Sequence, residues 1–493
     1  MNGEVSTTAG AGAVPTLEPL VGTHARAVLA RPVEVHRWVA ALGSPLTILL
    51  PEQVAGNIAA ARAVLDRHGV SGAIRFGAQA CPSTTVIRQV SAEGAGVLAC
   101  SLASMTDALS AGVPGRSILV GGVKTPEMLW LAARAGCTVV VSSLEELREA
   151  GALAGRLDVL LRFSSFVDTG APVKIRPSRS GFAERDFPAI AAELSRHRDL
   201  SLRGLSFHLD TVGIPEKALA LDGCLRVLRE ARAAGFSPDV ISIGGGFGVT
   251  YVADPGQWDA FTTALIDSAL GRRAPFTWQS FHYGLRAEKG KLRGAASLYP
   301  AQRTAVGARY LDDLLGQRQE SSGASFGRIL RDSMLELWIE PGRWLVDQAG
   351  LTLVRVLRVS GGGSSGATIE VDASSDDLRT ERFGVMMDPL LVRVPGSADA
   401  DVPGPGSGFL VGNRDSESGL ITRRAISFRA MPRAGDILAF VNTAGYLADL
   451  DSHHVIAAQV TPRGSMEPMR WWEDGRYWPE PVHEACEPGE GNS

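Results

Sequence analysis

The sequence predicts an α/β protein: a TIM-type (β/α)8 barrel over residues 21–346, followed by a C-terminal β-rich domain over residues 347–480. Three observations predict it. Eight short apolar runs alternate with stretches of helical periodicity from about Ser44 to Val346. Beyond Val346 the pattern changes to short alternating runs separated by Gly, Pro, Asp and Ser turns, the pattern of half-buried strands. A glycine-rich turn, Ile243-Gly244-Gly245-Gly246-Phe247-Gly248, closes the seventh run, where a barrel of this type carries its ligand.

Taken in order, the eight runs are Ala73–Ala78, Val97–Cys100, Ser117–Val120, Thr138–Val141, Val159–Phe163, Gly204–His208, Val240–Ile243 and Leu335–Ile339. They are rich in β-branched residues and largely lack polar alternation, as strands buried on both faces should be. Between them, Gln53–His68 places Val54, Ile58, Ala61, Val64 and Leu65 on one helical face, and Thr125–Ala135, Ser143–Ala154 and Lys217–Ala234 read similarly. The segment of about 249–333 is long for a barrel connection and is expected to hold extra helices or a flap over the mouth. Its Trp278, Phe281, His282 and Tyr283 are candidate substrate contacts. In the second domain, Leu351–Val359, Ala367–Val371, Phe409–Val411, Arg424–Phe428 and Ile437–Val441 read as strands. Residues 1–20 and 481–493 read as disordered or polar tails.

Composition narrows the function classes. With 493 residues, 45% hydrophobic content and a net charge of −4 from 49 basic and 53 acidic residues, the chain has no basic stripe suited to a nucleic-acid backbone. Five scattered cysteines without a CxxC pair argue against a disulfide framework or a zinc knuckle and favour a reducing cytoplasm. Neither a signal peptide nor a membrane-length apolar run is seen. His453 and His454 are adjacent in an expected loop, and no cluster with metal-ligand spacing sits at the strand ends, so no metal site is expected. A small-molecule ligand is expected, and the glycine turn, with its exposed amides, suits a phosphate.

Four motifs in order, Phe207-His208, Gly244-Gly245-Gly246-Phe247, Glu340-Pro341-Gly342-Arg343 and Asn442-Thr443-Ala444-Gly445-Tyr446, resemble those of the pyridoxal-phosphate-dependent ornithine/diaminopimelate decarboxylases, the fold type III decarboxylases. The resemblance runs from about Pro45 to His454 and implies an alanine-racemase-like barrel, a pyridoxal phosphate cofactor, an amino-acid-like substrate and a homodimer. It implies that Glu340 pairs with the cofactor's ring nitrogen and that Arg343, with Gly342 and the amides of Gly244, Gly245, Gly246 and Phe247, holds the phosphate. His208 would stack on the ring, Thr211 would match a phosphate-binding serine, Tyr446 would reach the phosphate, and Arg162 would sit at the inner rim.

The chain departs from this pattern at one end. Where the family has aromatic-Ala-x-Lys-Ala-Asn-x-Ser, it reads Phe76-Gly77-Ala78-Gln79-Ala80-Cys81-Pro82-Ser83. An amide nitrogen is neither basic nor nucleophilic, so Gln79 cannot hold the cofactor covalently. The five lysines, Lys124, Lys174, Lys217, Lys289 and Lys291, all lie outside this motif. Leu98 replaces a carboxylate, Asp210 replaces a glycine near the phosphate, and Asp415 stands where the family has a catalytic cysteine; Asp415 or Glu417 are then the candidate proton donors. The resulting expectation is a decarboxylase-like lyase with noncovalently held cofactor, against two alternatives: a noncatalytic binding homologue, or another reaction on the same scaffold. Alanine racemase shares the plan but also needs the lysine.

Overall fold

A computed structural model describes residues 13–153, 155–166, 175, 178–210, 213–361, 366–396, 403–414, 419–460 and 470–475. All eight expected barrel strands form: Gly72–Gly77, Gly96–Ala99, Ile118–Val120, Thr138–Val141, Leu157–Ser165, Leu200–Ser206, Val240–Ser242 and Glu336–Ile339. Each pairs in parallel with the next, and the eighth returns to the first through Leu337 opposite Gly72, closing the barrel. Leu98, Leu119, Val140, Leu160, Val240 and Trp338 fill its interior. Arg75 lies across the Trp338 ring at 4.3 Å. After the first four strands the chain turns into a helix capped by a hydroxyl: Ser83, Ser101, Thr125 and Ser143 each accept a backbone N–H of the first turn. These caps fix where each helix begins, and hence how each strand end presents its loop.

The second sheet has nine strands, and its expected runs are all present. It also takes in a strand from the start of the chain. Leu46–Leu49 pairs antiparallel with Gly350–Leu353 and parallel with His454–Ala457. The helices Thr23–Leu29 and Pro32–Leu42 pack Val28, Val35 and Trp38 onto the same sheet. The expected barrel boundary at residue 21 therefore moves: the chain starts in the β domain, leaves to build the barrel, and returns. A four-residue, mostly apolar run is equally suited to either sheet, and its pairing partners decide.

Two further expectations change. Residues 13–20, read as tail, are built in: Leu17 is fully buried, exchanges hydrogen bonds with Asp388, and is followed by backbone bonds from Leu20 to Tyr251 and from Ala253 to Glu18. The 249–333 segment does form helices, at Pro255–Ala269, Gly307–Gly316 and Phe326–Asp332, and an exposed hairpin, Arg286–Glu288 with Lys291–Arg293. Its aromatic stretch, however, runs to the β domain instead of covering the mouth. Trp278 donates its amide to the Arg423 carbonyl at 2.7 Å and packs on Phe409, and the Tyr283 hydroxyl donates to Glu381 at 3.1 Å. His282 lies 3.1 Å from the Ser268 hydroxyl. Among the described residues, no helix is long and apolar enough to cross a membrane.

Candidate active site

The seventh strand, Val240–Ser242, runs into Ile243 and then the glycines. Gly244, Gly246 and Gly248 take φ values of 65°, 80° and 73°, the left-handed region that a side chain disfavours. Gly245 is needed for a different reason: a Cβ there would meet the Glu340 carbonyl oxygen at 2.6 Å and the His208 ring at 3.3 Å. The turn thus lies directly against the loops that leave the sixth and eighth strands.

Between these loops is a cavity of about 220 Å³. The structure brings Gln79, His208, Gly245, Gly246, Phe247, Glu340, Gly342, Arg343 and Tyr446 together around it, so residues spread over most of the sequence converge at one barrel mouth. Gly244 shapes the turn without lining the cavity; its carbonyl accepts the Glu340 amide at 3.0 Å. Thr211, Asp415 and Glu417 lie outside the described residues. Asp210 and Leu98 line the same space, whereas Trp278 and His282 do not, and Phe281 and Tyr283 face a separate cavity beside the β domain.

The electrostatics are ordered by burial. Glu340 is buried, which raises its carboxyl above the ordinary range against the pull of Ser242, Arg162 and Lys217; the Ser242 hydroxyl donates to its Oε1. His208 accepts the Gly245 amide on Nδ1 at 3.2 Å. Burial, then the nearby Lys217 and Arg162, push its pKa down to about 4, so the ring is neutral at physiological pH. The Gly245 amide is therefore already used, and the expectation that all three glycines offer free amides gives way to a narrower one. Among the described residues the Gly246 amide has no protein acceptor.

Arg343 lies 4.6 Å from the Tyr299 ring and 5.3 Å from the Tyr446 ring, held by two aromatic faces, with its Nε buried and without a partner among the described residues. Tyr446 has φ 70°, donates its amide to the Ala80 carbonyl at 2.8 Å, and turns its hydroxyl to the Gln79 side chain. Burial raises its phenol, so it keeps its proton. Arg162 on the fifth strand has an Nε without a partner among the described residues, and burial lowers its pKa while Glu340 opposes that shift. Sequence reading missed Tyr299, Trp344, Phe383, Ser242 and Lys217. Ser242 carried a usable signal, since a lone hydroxyl in an otherwise apolar strand is expected to satisfy a buried acceptor.

A closed parallel barrel with a glycine turn, a buried carboxylate and an arginine at its C-terminal mouth, joined to a β-rich sheet, defines an alanine-racemase-like α/β-barrel protein. The chain belongs to the pyridoxal-dependent decarboxylases: the sequence model of their pyridoxal-binding domain matches residues 53–292. It is 31% identical over 420 residues to an uncharacterized protein, y4yA, of Sinorhizobium fredii, covering 84% of this chain and 85% of that one. It is 28% identical over 436 residues to a diaminopimelate decarboxylase of Actinosynnema pretiosum, covering 86% and 83%. In fold it is similar to the diaminopimelate decarboxylase of M. jannaschii, with a TM-score of 0.64, 16% identity and coverage of 86% and 88%. The arginine decarboxylase of Paramecium bursaria Chlorella virus bound to agmatine gives 0.61, 15%, 85% and 95%.

The residues present fit that family's cofactor. The unpartnered Arg343 Nε and the Gly246 amide suit a phosphate, and the Ser242-oriented Glu340 suits a protonated ring nitrogen. Among the described residues no lysine lines the cavity: Lys124 pairs with Glu146 at 2.6 Å, Lys217 lies behind the glycine turn, and Lys289 and Lys291 are exposed on the hairpin.

Proposed function

We propose that the protein is a decarboxylase-type lyase that holds pyridoxal phosphate without a covalent bond and acts on an amino acid or amino-acid-derived intermediate. The observation that carries this reading is the asymmetry of the cavity. Arg343, Gly246, Glu340 and His208 form a complete seat for the phosphate and ring, while at the Tyr446 side Gln79 presents an amide where the family's lysine would stand. When bound, the cofactor supplies an electron sink for the pair released as CO₂ leaves. The protein's own part is positional. Ser242 fixes Glu340, neutral His208 offers a flat face without added charge, and Gln79 and Tyr446 together line the end of the cavity nearest the reacting group. Without a lysine, the steps that normally rely on it slow by roughly the 10²–10⁴-fold of one acid–base group. A homodimer is the assembly expected of the family. The noncatalytic alternative rests on the same Gln79.

The test is titration of the purified protein with pyridoxal phosphate, borohydride reduction and peptide mass spectrometry, with CO₂ release measured over a panel of amino acids. Saturable binding without a pyridoxyl-lysine peptide is expected from the wild type, and a reduced adduct at position 79 from Gln79→Lys. A site-specific adduct in the wild type, or no binding, sinks the reading. Binding without CO₂ release from any substrate decides for the noncatalytic alternative.

A further inference from the structure

Lys217 is an ionisable group beside the site that neither the family motifs nor the proposed chemistry uses. It sits in the first turn of the helix Ile214–Ala233, with no exposure at all. Two features of that position are costly for an ammonium. The first turn of a helix carries the positive end of the macrodipole, and a fully buried charge loses its hydration. Burial brings its pKa down to about 7, with Glu340 and then Asp210 acting in the opposite direction. Phe247 lies under the ammonium at 4.8 Å and Tyr310 at 5.9 Å, and its hydrogen bond is to the Gly245 carbonyl oxygen.

That carbonyl belongs to the peptide joining Gly245 to Gly246. In a trans peptide the C=O and N–H point in opposite directions, so an ammonium holding the oxygen from behind turns the Gly246 N–H the other way. Gly245 and Gly246 both line the cavity and Lys217 does not, so the other way is into the cavity. Gly246 has φ 80° and no side chain, and its peptide is free to rotate unless something holds it. A charge-assisted bond to the carbonyl also polarises the amide across the same peptide plane.

We propose that Lys217 is a positioning residue of the phosphate seat, fixing the Gly245–Gly246 peptide with its N–H toward the cavity and, in its protonated form, placing a positive charge behind the bound phosphate. This rests on the proposed binding of pyridoxal phosphate and adds to it a second cation, one that never touches the ligand. It also accounts for how a site without a covalent anchor retains its cofactor: with Gln79 uncharged, Arg343 in front and Lys217 behind are opposed by the carboxylates of Asp210 and Glu340.

The experiment compares the full-length wild type with Lys217→Met, which keeps the length and removes the charge, and Lys217→Gln, which keeps a hydrogen-bond donor. The ligands are 4-deoxypyridoxine 5′-phosphate and 4-deoxypyridoxine, which lack the aldehyde and cannot react with surface lysines. Titration calorimetry is expected to show the phosphorylated ligand weakened at least tenfold in Lys217→Met and the unphosphorylated ligand changed less than threefold, with Lys217→Gln between. A merely structural lysine would move both ligands together. Equal losses for both ligands, or unchanged affinity for the phosphorylated one, overturn the inference and leave the proposed function standing. So does the failure of both variants to fold, which would assign Lys217 to the core. Absence of binding by the wild type overturns both.

Discussion

Replacing Gly245 with alanine tests whether the glycine turn is a packed element or only a flexible one. The added Cβ would meet the Glu340 carbonyl oxygen at 2.6 Å, and ordinary contact begins near 3.4 Å, so turn and loop must separate by about 0.8 Å. Backbone stands on both sides, with the Gly245 amide on His208 and its carbonyl on Lys217, and neither can swing aside as a side-chain tip would. Overpacking of this kind costs roughly 1–3 kcal/mol, a fall in melting temperature of roughly 2–10 °C. Gly342→Ala is the matched control. There the nearest atoms to the new Cβ are the Tyr446 hydroxyl at 3.4 Å and the Ala80 Cβ at 3.6 Å, both ordinary contacts, yet Gly342 lines the cavity. Thermal melts with and without pyridoxal phosphate separate the two effects. Gly245→Ala should melt lower without ligand, whereas Gly342→Ala should melt like the wild type without ligand and gain less on adding it. Equal melting of both variants without ligand would refute the assignment of Gly245 to a backbone contact.

Two further measurements address charge. An unfolded histidine takes its proton near pH 6.5 and His208 only near 4, so between these values the unfolded chain holds more protons and stability falls as the pH drops. Compared with the wild type, His208→Gln should lose this part of the slope between pH 6.5 and 4, worth at most about 3 kcal/mol, and a wild-type slope in the variant would disprove it. In the β domain, Arg424 and Asp388 form an ion pair of 2.6 Å that is 1% and 7% exposed, and Asp388 also accepts the Leu17 amide. Asp388→Ala strands a buried guanidinium and should cost about 3–5 kcal/mol in chemical denaturation, partly recovered by adding Arg424→Met; a loss below about 1 kcal/mol would contradict this.

The barrel was legible in the sequence because each strand is an apolar run too short for a helix and the runs alternate with amphipathic stretches. The core of the site was legible for a related reason. Its groups sit at strand ends, where a change from apolar to Gly, His or Glu is visible against the strand. What escaped reading depends on tertiary partners. Lys217, in an amphipathic helix, resembles a solvated lysine until the glycine turn packs over it. Tyr299 comes from the long segment before the eighth strand, and only the fold brings its ring under Arg343 and its hydroxyl to the Val249 amide at 3.1 Å. Trp472 donates to the Thr85 hydroxyl at 3.2 Å, fastening the last described strand to a barrel helix, a partner only the fold supplies.

The strand Leu46–Leu49 has a consequence for how the chain is made. Its neighbours in the sheet are Gly350–Leu353 and His454–Ala457, so about 300 residues emerge from the ribosome before the first of them. At 5–20 residues per second that is roughly 15–60 s during which a fully buried strand has no sheet to join. The helices Thr23–Leu29 and Pro32–Leu42 precede it and carry the faces that later bury it, a ready cover for the interval. Synthesis thus completes the barrel first, and the β domain closes only when the end of the chain returns to meet its beginning.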